Sequence, residues 1–468
     1  MARDAAVTIS LWGAADSVTG SKFLLSYGHN KVLLEAGLFQ GPRELRQRNW
    51  DELPVAAENI DAVVISHAHL DHCGFLPRLW KLGFRGPIYL TPDTANLASI
   101  VLRDSAKLQE EDAEYATRKG YSRHAVPQPL YGSKDAEGAI SLFRTVNFGN
   151  WHPLPGSGRL RFLPAGHILG GAIVDLDLAG ARVLHSGDLG RGDHPLLVGP
   201  HEIPAEHYDA VVVESTYGDR KHPEKDDSLE RAIARTVGRG GTVLIPAFAV
   251  DRTELILDVI RDAMVAGAIP SVPVYMDSPM AVDALQVYRH AIEANHSEIR
   301  PELREDAQAV KSFEPETLRT LRTPSQSKSI NDAPPCIIIS ASGMATGGRV
   351  LHHLKRLLPD PKNTVVLAGY QAVGTRGRDL REGAREIKIH GQLIPVEAEI
   401  CDVEYFSVHA DRDDILRWLA SAPHTPSKIF IVHGEQEARN ELARAISGQL
   451  STEVVVPQYR DSVRIADR

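Results

Sequence analysis

Four side chains able to bind a metal fall within six residues, in the run His67-Ala68-His69-Leu70-Asp71-His72. Imidazole and carboxylate without thiolate is the donor set of a hydrolytic zinc site with open coordination positions. Two such ions about 3.5–4 Å apart can together activate water and polarise a phosphate. Two ions need more ligands than this run supplies. Pro164-Ala165-Gly166-His167, His185-Ser186-Gly187-Asp188 and His433-Gly434-Glu435 offer them. Taken singly, each of these is more often a hydrogen-bonded loop residue. Together they share one arrangement, a ligand at or just past the end of an apolar stretch.

Those stretches read as strands. Asp61-Ala62-Val63-Val64-Ile65-Ser66 is nearly all apolar, the pattern of a strand covered on both faces, and it runs straight into His67. Leu160 to Leu163 leads to His167, Val183-Leu184 to His185 and Asp188, and Lys428 to Val432 to His433. Further strand signals stand at Val7 to Trp12, Phe23 to Leu25, Lys31 to Glu35, Ala172 to Leu176 and Ala210 to Val213, and a helical pattern at Thr94 to Arg103. After Tyr217 strands alternate with helices: Ser228 to Val237 and Asp251 to Met264 are helical, while Gly241 to Pro246, Val272 to Met276, Cys336 to Ile339 and Thr364 to Leu367 are buried strands. That alternation predicts a parallel α/β unit. Arg300 to Lys328 is charged and weakly patterned, as a surface cover would be. Short strands return at Ile387 to His390 and Leu393 to Val396, and Asp413 to Leu419 is helical. The expected division is residues 1–215, an inserted unit over 216–386, and a return over 387–468.

Length and composition bound the reading. A chain of 468 residues suggests two or three units. No apolar run approaches the ~20 residues of a membrane helix, and Met1-Ala2-Arg3-Asp4 lacks a signal layout, so a cytoplasmic protein is expected. Cys73, Cys336 and Cys401 are too few and too scattered for a disulfide framework or a Cys-type zinc site, and read as small buried thiols in a reducing compartment. A net charge of −9 excludes a uniformly basic nucleic-acid binder. Such a substrate would need a local basic cleft.

The pattern His67-x-His69-x-Asp71-His72, with His167, Asp188 and His433, resembles the ligand set of the metallo-β-lactamase superfamily. The resemblance implies an αββα sandwich. It implies one zinc ion on His67, His69 and His167 and a second on Asp71, His72 and His433, with Asp188 bridging them. His433 follows Asp188 by 433 − 188 = 245 positions, far more than small lactamases use. Val213-Glu214-Ser215-Thr216-Tyr217-Gly218, Phe406-Ser407-Val408-His409-Ala410-Asp411 and Ile431-Val432-His433-Gly434-Glu435 are similar to motifs A, B and C of the β-CASP nucleases. Within that group the chain is similar to the endonuclease-subunit core of the cleavage and polyadenylation specificity factor and its compact bacterial relatives.

The resemblance implies RNA as substrate, cut endonucleolytically, 5′→3′, or both. It implies His409 as proton donor to the leaving oxygen or phosphate ligand, Glu214 as its orienting carboxylate, and Asp71 in the catalytic set as well as the metal set. Ser342-Gly343, with Gly347-Gly348-Arg349, forms a Gly-rich turn that could present N–H groups to phosphate. Arg349 belongs to that turn, and Arg376 and Arg378, near Gly374 and Gly377, are expected to contact the RNA backbone, although charge on a solvated face is the commoner role for each singly. Three departures stand out. Glu35 replaces a frequent Asp beneath the ligand histidines, Asp251 a common Gly, and Asp16 a common Arg or Lys. The catalytic fold begins by Val7 and no long C-terminal extension follows, so RNA selectivity is expected from the cleft or a partner; a homodimer is one assembly open to the chain. Two rival readings remain: a hydrolase of DNA or another phosphoester, and a non-catalytic RNA-binding scaffold.

Overall fold

A computed structural model describes residues 6–119, 128–305, 314–333 and 335–466. Met1-Ala2-Arg3-Asp4 and positions 306–313 of the charged Arg300 to Lys328 stretch lie outside the described residues. The chain forms two units, residues 1–221 with 409–468, and residues 222–408.

In the first unit strict alternation produces a half-buried strand. Val7, Ile9 and Leu11 of Val7–Gly13 are fully buried while Thr8, Ser10 and Trp12 are partly exposed. This strand pairs with Ser462–Ala466 and Lys22–Tyr27 in a seven-stranded sheet that continues through Asn30–Leu34, Ala62–Val64, Ile88–Leu90 and Phe143–Thr145. A second seven-stranded sheet runs in the order Glu453–Val455, Lys428–Ile431, Ala210–Val213, Ala181–His185, Ala172–Leu178, Gly158–Pro164 and His152–Pro153. Phe23, Leu25, Phe162, Val174, Leu176 and Phe430 join both sheets in one core. Each fully buried phenylalanine contributes about 1.5–3 kcal/mol there. The outer face of the second sheet, with Val211 and Ile429, packs on Ile415 and Trp418 of the helix Arg412–Ala420 and on Leu442 and Ile446 of Gln436–Gln449. On the other sheet Leu33, Val63 and Leu90 are buried, and the helix Pro92–Lys119 packs beside Phe143–Thr145. The layers are α, β, β, α. The apolar run at 61–66 yields only the short strand Ala62–Val64, and the helix expected at 94–103 is far longer.

The second unit is built on six strands in the order Leu318–Thr320, Val274–Met276, Ile337–Ser340, Val243–Pro246, Thr364–Ala368 and Glu399–Val403, every pair parallel. The interior strands Val243–Pro246 and Ile337–Ser340 are buried at every position, as helices on both faces require. Glu399–Val403 hydrogen-bonds along Thr364–Ala368 and belongs to this sheet. The hairpin Glu386–Ile389 with Gln392–Pro395 packs into the same unit's core. The return to the first unit therefore falls at His409, not at Ile387 as expected: the pairing of Glu399 through Val403 outweighs the break in patterning near 387. No helix among the described residues is long and apolar enough to cross a membrane.

Candidate metal centre

The backbone around residues 67–72 is pinned before any ligand is considered. The Ser21 N–H donates to Asp71 O (2.9 Å), Ala36 N–H to His72 O (2.8 Å) and Leu38 N–H to Leu70 O (2.8 Å). A Cβ on Gly37 would stand 1.6 Å from Asp71 O, so only glycine permits this approach. Lys22 locks the supporting loops together. Its Nζ donates to Gly37 O (2.6 Å) and Gly20 O (3.1 Å) and lies 4.3 Å from the Phe39 ring centre and 4.9 Å from that of Phe75. Burial pushes its pKa down to about 7.

Two groups of ligand atoms converge, His67, His69, His167 and Asp188 in one, Asp71, His72 and His433 in the other, each within 4.8 Å of one another. Asp188 faces both. Its Oδ2 lies 3.5 Å from His67 Nε2 and 3.6 Å from His167 Nε2; its Oδ1 lies 3.2 Å from His72 Nε2 and 3.6 Å from His433 Nδ1. Asp71 Oδ2 stands 3.3 Å from His433 Nε2. His433 reaches the site from a left-handed backbone (φ 52°), followed by Gly434, where a Cβ would meet Ser215 Oγ at 2.2 Å.

The nitrogens themselves test whether a cation fits. His67 Nε2 lies 3.1 Å from His69 Nδ1, and His72 Nε2 lies 3.1 Å from His433 Nε2. The other nitrogens of His67 and His433 are held by Ser66 Oγ (2.9 Å) and Thr216 Oγ1 (3.1 Å). Ring nitrogens facing each other this closely can share at most one proton per pair, whereas a metal satisfies all of them. Burial drives His67 and His167 well below the usual imidazole range and His69 down to about 4, favouring the neutral form that ligation needs. Burial opposes charge on Asp188 too, yet His433, His72 and His67 hold its carboxyl well below the usual range. The residues fit divalent metal.

Glu35, already singled out beneath the ligand histidines, and two hydroxyls complete the site. Glu35, fully buried and at φ 64°, accepts from Ser66 N–H (3.1 Å), lies 3.2 Å from His185 Nε2, and has Oε2 3.6 Å from His72 Nδ1. Thr216 and Ser66 orient their histidines through hydroxyls that nothing distinguishes from other loop hydroxyls in the sequence. Asp16, another of the three departures, is paired with Arg48 at 2.7 and 3.0 Å. Asp251, the remaining one, sits in the second unit at φ 69° and accepts from Tyr288 Oη (2.8 Å).

Beside the ligands, His409 Nδ1 lies 3.1 Å from Glu214 Oε1. That oxygen also accepts Leu189 N–H (2.8 Å), and Oε2 accepts Thr216 N–H (3.2 Å). The His409 ring centre is 4.4 Å from that of His167. Glu214 is buried and His409 remains 15% exposed. The carboxylate thus orients the ring, and the ring keeps access to solvent.

The residues assigned to phosphate stand in the second unit, and their side chains are committed elsewhere. Arg349 donates to Asp277 Oδ1 (2.6 Å), Leu321 O (3.1 Å) and Arg322 O (2.6 Å). Arg376 donates to Lys388 O (2.7 Å), Ala345 O (3.2 Å) and Thr346 O (3.2 Å). Ser342 Oγ accepts Thr346 N–H (3.0 Å), and the Gly343 carbonyl accepts from Gln371 Nε2 (3.2 Å). The expectation of direct RNA contact through Arg349 meets a physical obstacle: removing it from Asp277 would leave a buried carboxylate without its cation.

Three family models match in succession. Residues 23–244 match the metallo-β-lactamase superfamily, 253–380 the Beta-Casp domain, and 393–457 the Zn-dependent metallo-hydrolase RNA specificity domain. The chain belongs to the β-CASP family of the metallo-β-lactamase superfamily, a family of metal-dependent hydrolases. Among its relatives, a ribonuclease of Thermus thermophilus is 36% identical over 97% of this chain and 99% of its own length. An RNase J-like protein of Methanocaldococcus jannaschii is 32% identical over 91% of this chain and 92% of its own. The transcription termination factor FttA of the same organism is 30% identical over 98% of this chain and 72% of its own. A solved structure from Enterococcus faecalis, of unknown function, shares the fold with a TM-score of 0.53 at 12% identity, covering 98% of this chain and 100% of its own.

Proposed function

We propose that this chain is a di-zinc ribonuclease that hydrolyses RNA phosphodiester bonds in RNA processing or decay. The observation that carries the reading is the pair of ligand groups sharing Asp188, with His409 held by Glu214 at their edge. Histidine and carboxylate donors without cysteine suit zinc with open positions. When bound, two such ions supply an activated water and neutralise charge on the phosphate. The chain's own residues do the rest. Glu214 keeps the His409 Nδ1 proton in place and stabilises positive charge on the ring. His409 Nε2 then donates a proton to the leaving 3′ or 5′ oxygen, a contribution worth about 10²–10⁴-fold. Glu35, Ser66 and Thr216 fix the ligand rings. The three cysteines, none in a disulfide, fit action in the reducing cytoplasm. The ribonuclease names of relatives support RNA as the substrate.

The test is cleavage of end-labelled RNA and DNA, with and without chelator, beside a His69→Ala variant. RNA cleavage lost with both chelator and variant is expected, and the position of the label in the products separates endo- from exonucleolytic cutting. Cleavage of DNA alone would overturn the substrate. Cleavage indifferent to chelator and variant would overturn the metal chemistry, and a folded protein that binds RNA without metal or cleavage would make it a scaffold.

A further inference from the structure

A chain of net charge −9 must attract RNA through a local surface. One such surface lies in the second unit, where the hairpin Glu386–Ile389/Gln392–Pro395 meets the helix Val350–Leu357. Ile387, Ile389 and Ile394 share a core with Val350, Leu351, Leu354 and Leu357. With those faces turned inward, the two-residue period of the strand sends Lys388 outward, with His390 just past its end, and helical spacing exposes His352 with Lys355. The seating brings the His352 and His390 ring centres to 4.9 Å, with planes tilted by 41°. Arg376, bonded through Nε to Lys388 O, lies along the same strand and keeps its charge because its acceptors are carbonyls.

The charged neighbours of the pair are mostly one sign. His352 is influenced by His353, Lys355 and Lys328, and least by Asp277, which is already bonded to His353 (2.7 Å) and Arg349. His390 is influenced by His352, Lys355 and Arg376. Glu386 stands at the opposite end of the strand from His390. Partial burial first, then these cations, hold both imidazoles below their ordinary range. An anion between the rings would relieve that crowding, and by linkage its binding would take up protons.

We propose that His352, His390, Lys355 and Lys328 form a phosphate-binding patch for the backbone of the RNA substrate, with Arg376, its guanidinium held by backbone carbonyls, adding positive charge beside it, and with none of the metal-centre residues used. The proposal rests on the ribonuclease reading. RNA phosphodiester and free inorganic phosphate share the recognising chemistry, so both enter the test.

Steady-state cleavage of a single-stranded RNA is measured at pH 6, 7 and 8 for the wild type, the His352→Ala/His390→Ala double variant and Lys355→Ala, with bis(p-nitrophenyl) phosphate as a substrate too small to span the patch. In the wild type KM for RNA falls about 3–10-fold from pH 8 to pH 6. The double variant flattens that slope and lowers the salt dependence of log KM by about 1–2, with kcat and hydrolysis of the small diester unchanged. Lys355→Ala raises KM at every pH and leaves the slope in place. A double variant with wild-type KM, pH slope and salt slope overturns the proposal. So does inorganic phosphate altering wild-type but not variant kinetics while RNA KM stays the same in both, which would make the patch a site for free phosphate. If the wild type hydrolyses the small diester and no RNA, the ribonuclease reading fails instead.

Discussion

Glu214→Gln isolates the charge of Glu214 from its geometry. Oε1 faces two donors, Leu189 N–H at 2.8 Å and His409 Nδ1 at 3.1 Å, and Oε2 faces one, Thr216 N–H at 3.2 Å. The amide therefore places its oxygen at the Oε1 position, keeping two bonds. Its NH2 then confronts Thr216 N–H, and the unsatisfied donor costs about 1–3 kcal/mol of stability. His409 keeps its partner and its tautomer but loses the negative charge. A hydrogen bond to a charged group is worth about 1.5–3 kcal/mol and a neutral one about 0.5–1.5, so the imidazolium loses about 1–1.5 kcal/mol, or about 5–13-fold in kcat. His409→Ala removes the donor itself and falls by about 10²–10⁴. If Glu214 acts through His409, adding Glu214→Gln to His409→Ala changes kcat less than about twofold. The assay is single-turnover cleavage with metal content matched by elemental analysis, on RNA and on a p-nitrophenyl phosphodiester. A nitrophenolate leaves without a proton, so the His409→Ala defect shrinks on that substrate. Additive losses in the double variant refute the coupling, and equal defects on both substrates refute His409 as proton donor.

Two further substitutions probe the surroundings. Glu35→Asp withdraws the carboxylate by about an ångström, a scale at which positioning matters, from Ser66 N–H, His185 and His72; chelator competition should show zinc affinity reduced about 10–100-fold, and an unchanged affinity would mean the backbone at Glu35 adjusts. Glu254 in the second unit is fully buried, and burial, then Asp251, holds its pKa well above the carboxylate range against the opposing backbone hydrogen bonds of Glu254 and Asp251. A carboxyl so raised lends stability that is complete below the ordinary carboxylate pKa and is lost as pH rises through the folded value. Glu254→Gln mimics the neutral acid, so its urea midpoint should exceed the wild type's at pH 8 and converge with it at pH 5; a variant weaker by the same amount at both would refute the sign.

The seven candidate ligands were visible in the sequence because each stands at or near the end of an apolar run, and burial of the run dictates where the chain emerges. What surrounds them was not. Lys22 gives no sign of burial: a lysine is ordinarily exposed, and only the carbonyls of Gly20 and Gly37 with the rings of Phe39 and Phe75 make its place tenable. Glu399–Val403 was overlooked because Glu399 and Asp402 disguise an edge strand, where one side of the ladder is open to water. Arg349 and Arg376 look like phosphate ligands in a Gly-rich context, since a sequence cannot say whether a guanidinium has an internal acceptor. His352 and His390 are 38 positions apart and meet only because a hairpin folds back on a helix.

One consequence concerns the order in which the protein is made. His433 follows Asp188 by 245 positions, and its strand Lys428–Ile431 docks beside Ala210–Val213. At ribosomal rates of about 5–20 residues per second, about 12–50 s separate the emergence of the two side chains. His67, His69, His167 and Asp188 are all synthesised before the inserted unit begins, so a nascent chain can assemble one metal group while the other still lacks His433. His409 comes later still than Glu214 by 195 positions. A chain that has yet to reach them lacks the last candidate ligand of the second group and the histidine proposed as proton donor, so translation itself would keep the proposed centre incomplete until its last parts arrive.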